Sequence, residues 1–185
     1  MAPHTASEGN ASPSLALLRI RLSGTLHRTI FIPLLSLLAL RHAIGYDPGM
    51  YEYFEHTADL GIRARAADLN ALFTEAATAV FGAIVDDLGT VRPDRQVEFD
   101  IVGAEKDYLL FDWLRELLYR FDAEHLLFSK FDVQVSDDGL KAKAWGEPID
   151  PARHVLSHEV KAITYHELRV EREGNEWVAE VIVDI

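Results

Sequence analysis

The chain has 185 residues, with 18 Lys and Arg against 30 Asp and Glu, a formal net charge of −12, 49% apolar residues and no cysteine. That length fits one domain with room for an appendage, and the apolar fraction suffices for a core, so wholesale disorder is excluded. The missing cysteines exclude disulfides, thiolate zinc sites and cysteine nucleophiles and fit a cytoplasmic protein, while the acidity excludes nucleic-acid binding by clustered Lys and Arg.

The charge is unevenly spread. Residues 1–49 carry Arg19, Arg21, Arg28 and Arg41 against Glu8 and Asp47, a net of +2, which leaves −14 for residues 50–185. The apolar run from Phe31 to Leu40 is interrupted by Pro33; at about 1.5 Å per residue it reaches only half of a bilayer core of about 30 Å, too short for a spanning helix. As a signal peptide it is poor, because the following Arg41-His42-Ala43-Ile44-Gly45 lacks a small-x-small cleavage pattern. Residues 1–49 read as an N-terminal extension, either disordered or a mis-assigned start with Met50 as the true first residue; a targeting segment or an accessory helix is the alternative.

Coherent patterning begins at Tyr51. Leu60 to Ala66 alternates apolar with Gly or charged residues and predicts a strand with one wet face. Asp68 then offers an N-cap to a helix whose Leu69, Leu72, Phe73, Ala76, Val80 and Ile84 share a face, ending before Asp86. Val97, Phe99 and Ile101 predict a second strand, ending at Gly103. Asp107 is the expected cap of the next helix, marked by Leu110, Leu114, Leu117, Leu118 and Phe121. Phe131 to Val135 and Leu140 to Ala144 flank the turn residues Ser136-Asp137-Asp138-Gly139 and predict a hairpin. A loop from Gly146 to about His158 follows. The runs Ala162 to Glu173 and Glu176 to Val183 flank Gly174-Asn175 as a second hairpin, with Trp177, Ala179, Val181 and Val183 on one face. The expected class is α+β: a mostly antiparallel sheet built from hairpins, with two amphipathic helices packed on it. There is no long internal repeat.

Familiar catalytic signatures are missing: the phosphate loop, the dinucleotide fingerprint, the serine-hydrolase elbow and the H-E-x-x-H zinc motif are all absent. His154 and His158 have helical metal-ligand spacing, but Pro151 and the loop composition around them favour hydrogen-bonded or solvated histidines. The end of the chain is more informative. Asp184 precedes Ile185, so a side-chain and an α-carboxylate lie one residue apart; both are anionic at neutral pH, and a hard divalent ion with oxygen ligands suits them. Taken by spacing alone, Asp59 reads as a turn residue before its strand, Lys161 as a strand-edge charge and the terminal Asp184 as a solvated acid.

Four blocks add a further reading: Tyr53-Phe54-Glu55-His56-Thr57-Ala58-Asp59-Leu60-Gly61, Trp113 to Leu118, Lys161-Ala162-Ile163-Thr164-Tyr165-His166, and Val181-Ile182-Val183-Asp184-Ile185. In this order, over residues 51–185, they closely resemble the archease family. The resemblance implies a small α+β protein that is not itself an enzyme and that assists the GTP-dependent tRNA-splicing RNA ligase, promoting its guanylylation and multiple turnover. It further implies a divalent-ion site made by Asp59, Asp184 and the terminal carboxylate of Ile185, with Ca²⁺ the expected ion and Mg²⁺ or Mn²⁺ as alternatives. Lys161 matches a lysine implicated in activation, and His56 stands beside the ion site as a supporting group. The acidic charge then suits approach to a basic ligase surface rather than to RNA or a membrane. Two rival readings are a metal-dependent phosphoester hydrolase using Asp59 and Asp184, and a general chaperone of RNA-modifying enzymes.

Overall fold

The computed structural model describes residues 51–57 and 59–185, so the expectations for residues 1–49 fall outside the described residues. In chain order the elements are β1 (Tyr51–His56), β2 (Asp59–Ala66), α1 (Leu69–Ile84), a short 3-10 turn (Leu88–Thr90), β3 (Arg95–Val102), α2 (Lys106–Glu124), β4 (Leu126–Val135), β5 (Gly139–Pro148), β6 (Ala162–Ile163), β7 (Arg169–Glu173) and β8 (Glu176–Asp184). The class is α+β and every strand pairing is antiparallel. The strands divide between two sheets rather than forming one: a five-stranded sheet ordered β1-β2-β8-β6, with β7 also on β8, and a three-stranded sheet ordered β3-β5-β4.

Local chemistry accounts for most element boundaries. Asp68 caps α1, its Oδ1 accepting the Ala71 amide at 2.9 Å, and the helix ends at Ile84 as Val85 turns extended. α2 departs from expectation at its start. Its N-cap is Glu105, which makes no side-chain capping bond. Asp107 instead lies in the first turn, where a carboxylate suits the helix dipole, and accepts the Val170 amide at 2.6 Å, tying α2 to β7. β5 runs on to Pro148, so the expected loop begins later. The expected strand over residues 162–173 breaks into β6 and β7, with Glu167 in the left-handed region at φ 53° between them. The predicted turn at Gly174 is present, at φ 63°, in the region glycine favours.

The core lies between the helices and the sheets. Phe81 of α1 meets Phe128 and Phe131 of β4 and Phe121 of α2 at ring-centroid distances of 5.5–6.3 Å. Trp113 is fully buried, and its indole N–H donates to the Phe73 carbonyl at 3.1 Å, locking α2 to α1. On the five-stranded sheet, Ile62, Ala64, Ala66, Ala179, Val181 and Val183 face this core. β1 is tied to α1 through the Tyr53 hydroxyl, which donates to the Ala79 carbonyl at 2.7 Å. By the alternation of strand side chains, Asp59, Gly61, Arg63 and Arg65 of β2 and Val178, Glu180, Ile182 and Asp184 of β8 lie on the opposite, outer face. Among the described residues no helix is long and apolar enough to cross a membrane.

Candidate functional site

The outer face carries His56, Asp59 and Asp184, strand register brings them together, and Lys161 lies next to Asp184 along the backbone at the sheet edge. β2 and β8 pair with Leu60 opposite Val183, so the next position of the same register sets Asp59 opposite Asp184. Across β1, Asp59 pairs with His56. On the other side of β8, Asp184 pairs with Ala162, and its carbonyl accepts the Lys161 amide at 2.8 Å. Ile185 is half-buried and packs against the core, which fixes the residue that follows Asp184. His56, Asp59, Lys161, Asp184 and Ile185 therefore converge on one end of one sheet, although more than a hundred residues of sequence separate the first pair from the last three.

Directly opposed strand residues have their Cβ atoms about 4.5–5.5 Å apart, and like charges there repel. Two half-buried carboxylates in that relation are stable together when a cation lies near. Among the described residues no Lys or Arg ion pair is recorded to either: the Asp184 carboxylate has no recorded hydrogen bond or ion pair, and Asp59 Oδ2 has only His56 Nδ1, at 3.9 Å, beyond hydrogen-bond reach. His56 Nδ1 is itself inaccessible to solvent and lacks a hydrogen-bond partner. His56 Nε2 lies 3.7 Å from Glu167 Oε2, and His166 Nε2 3.6 Å from Glu167 Oε1.

A few residues along the same face the acids are saturated with arginine. Glu180 receives Arg63 Nε at 2.5 Å and Arg169 Nε at 2.8 Å. Arg63 also donates to Glu52 at 2.7 Å and Arg65 to Glu173 at 2.9 Å, while Arg169 pairs with Glu171. The hydrogen bond from Arg169, reinforced by that from Arg63 and opposed by partial desolvation, pulls the Glu180 carboxyl down to about 2. Nothing in the sequence marked this network in advance, because its members come from four strands.

The other histidine pair serves structure. His154 is buried and its Nδ1 accepts the Asp150 amide at 2.9 Å, beside a clasp in which Arg153 donates to Glu147 at 2.6 and 3.0 Å. That Arg153 fork, helped by the Arg92 amide, holds the Glu147 carboxyl at about 2. His158 is exposed, its amide bonded to the Ala83 carbonyl, and the two histidines do not form a ligand set. Glu167 escaped the sequence reading because no spacing rule links it to His56. His166 ends the run from Lys161, and its side chain gave no separate signal.

Comparison with known proteins gives the chain its relatives. The sequence model of the Archease protein family matches residues 51–185. The protein archease of Sulfurisphaera tokodaii is 44% identical over 137 residues, covering 73% of this chain and 98% of the relative. That of Methanopyrus kandleri is 44% identical over 139 residues, covering 73% and 99%. The solution structure of Methanobacterium thermoautotrophicum protein 1598 superposes with a TM-score of 0.66 at 38% identity, covering 74% of this chain and 99% of that one. A crystal structure from Thermotoga maritima, described as an archease and "possible chaperone", shares the fold with a TM-score of 0.52 at 20% identity, covering 72% and 96%.

Proposed function

Since the chain belongs to the archease family, we propose that it is a non-catalytic accessory protein that binds a divalent cation and activates a GTP-dependent tRNA-splicing RNA ligase in the cytoplasm, promoting its guanylylation and multiple turnover. The observation that supports this most is the β2–β8 register, which sets Asp59 opposite Asp184 with Ile185 anchored next to it. The donor set fits the ion: carboxylate oxygens, without thiolates and without a neutralising arginine, suit Ca²⁺, with Mg²⁺ or Mn²⁺ as alternatives. Asp59, Asp184 and the terminal carboxylate of Ile185 would hold it, with His56 in support.

Bound there, the ion would supply positive charge to neutralise phosphate during nucleotide transfer to the ligase. The residues of this chain present it. Asp59 and Asp184 are held on rigid strands, and Lys161, fastened by its amide to Asp184, adds a compact positive charge at the edge of the same site. The −14 of residues 50–185 steers the domain toward a basic ligase surface and away from RNA.

The test is RNA joining with substoichiometric ligase, with and without this protein, in chelator and then in added Ca²⁺, Mg²⁺ or Mn²⁺. Stimulation that needs both protein and ion is expected, and Asp59→Ala should abolish it. Wild-type stimulation by Asp59→Ala overturns the role given to the ion. Phosphoester hydrolysis by the isolated protein would point to the hydrolase, and activity that depends on acidic surface but not on Asp59 or Asp184 to a general chaperone.

A further inference from the structure

The turn between β6 and β7 carries His166 and Glu167 past the ends of β8 and β2 to reach His56 at the end of β1. One ligand atom from each of His56, His166 and Glu167 lies within 4.8 Å of the others. The two imidazole rings are 5.2 Å apart by centroid and tilted by 58°, so they converge on the same carboxylate without stacking. In a tetrahedral site with metal–ligand bonds of about 2.0–2.1 Å, neighbouring donor atoms stand roughly 3.3 Å apart. His56 Nε2 stands 3.7 Å from Glu167 Oε2 and His166 Nε2 3.6 Å from Glu167 Oε1, one imidazole at each carboxylate oxygen, so small side-chain adjustments bring the three donors to that spacing.

From this juxtaposition we infer a second metal site, formed by His56, His166 and Glu167, that takes a nitrogen-preferring divalent ion of the Zn²⁺ or Co²⁺ class and is distinct from the all-oxygen site of Asp59 and Asp184. Imidazole donors select borderline transition ions over Ca²⁺ and Mg²⁺, so the two sites differ in chemistry although they are neighbours. Three protein ligands leave a fourth position open to water or to a group from a partner. His56 has the arrangement of a metal-ligating histidine: with Nε2 facing the other ligands, its enclosed and unpartnered Nδ1 faces Asp59 Oδ2, the kind of carboxylate that orients such rings. Glu167 would bridge the imidazoles through the metal rather than through water.

Tag-free full-length protein, stripped with chelator, is titrated with Co²⁺ while its visible ligand-field spectrum is followed, then with Zn²⁺ in competition and separately with Ca²⁺. Uptake of Co²⁺ with nitrogen ligation, displaced by Zn²⁺, is expected. His166→Ala, in an exposed turn where truncation spares the fold, should weaken Co²⁺ by about 10-fold or more and leave Ca²⁺ unchanged. Asp184→Asn should weaken Ca²⁺ and leave Co²⁺ within a few-fold. The inference is overturned if folded wild-type protein takes up no Co²⁺, if His166→Ala binds it with unchanged affinity and spectrum, or if Asp184→Asn and His166→Ala lose the same Co²⁺ equally. Co²⁺ binding without Ca²⁺ binding would sustain this inference while removing the oxygen site from the proposed function.

Discussion

Two stretches of the outer sheet face use the same residue types to opposite ends. Around Glu180, the acids lie beside arginines of the same sheet, so negative charge is consumed within the protein. At the strand ends, Asp59 and Asp184 oppose one another, with no arginine among the described residues paired to either. The first arrangement stabilises the sheet. The second leaves two like charges facing one another, which is the feature on which the proposed cation site rests. Gly61 marks the frontier. The Phe54 ring lies across it, so close that a Cβ there would come within 2.2 Å, and the Arg63 guanidinium sits over that ring at 5.4 Å from its centroid.

The widest gap between the two regions should appear on removing one acid from each. Asp184→Ala is expected to reduce ligase stimulation to the unstimulated level and abolish Ca²⁺ binding by calorimetry. Its metal-free stability should stay level or rise by up to about 0.5 kcal/mol, because a like-charge contact is lost. A clear fall in its melting temperature would show that the strand-end acids are structural. Glu180→Ala should behave in reverse. It removes the carboxylate that Arg63 and Arg169 share, leaving each with only a more exposed acid, and is expected to cost about 1–3 kcal/mol in denaturant unfolding, with Ca²⁺ affinity intact.

Acid titration probes the same carboxylate without mutation. Glu180 falls from its ordinary 4.5 to about 2 in the folded protein, so its contribution is complete above 4.5 and disappears as pH drops toward about 2. Wild-type stability should therefore decline across that window more steeply than that of Glu180→Gln, and parallel curves would deny the arginine network its role. The smallest effect belongs to the frontier. Gly61→Ala must displace the half-buried Phe54 ring and the Arg63 guanidinium over it, so a loss of about 1 kcal/mol is expected. Calcium binding should survive it, and a loss there would couple the two regions.

Helices and hairpins were legible because their signals are local. Asp68 before an apolar stripe, the Ser136–Gly139 turn and Gly174-Asn175 each report on a few neighbouring residues. β1 left little trace, since Tyr51 and Tyr53 alternate with Glu52 and Phe54 in a pattern that neither hydrophobicity nor charge resolves. Asp107 resembles a cap but is used for a tie to β7, a choice made by a residue 63 positions away. The strand expected over residues 162–173 breaks where the backbone turns to bring His166 and Glu167 to β1, and no propensity encodes that destination.

By itself the sequence determined the class of the fold, both amphipathic helices, the acidic character of residues 50–185 and, through four short blocks, the family and the residues worth watching. Only tertiary structure decided that β8 inserts between β2 and the β6–β7 edge, which sets Asp59 against Asp184 and leaves them without the arginines that quench Glu180. The reason is physical: helix stripes and turns are satisfied by contacts a few residues apart, whereas strand order and register depend on how distant apolar faces close over a common core, and that is decided by the whole chain at once.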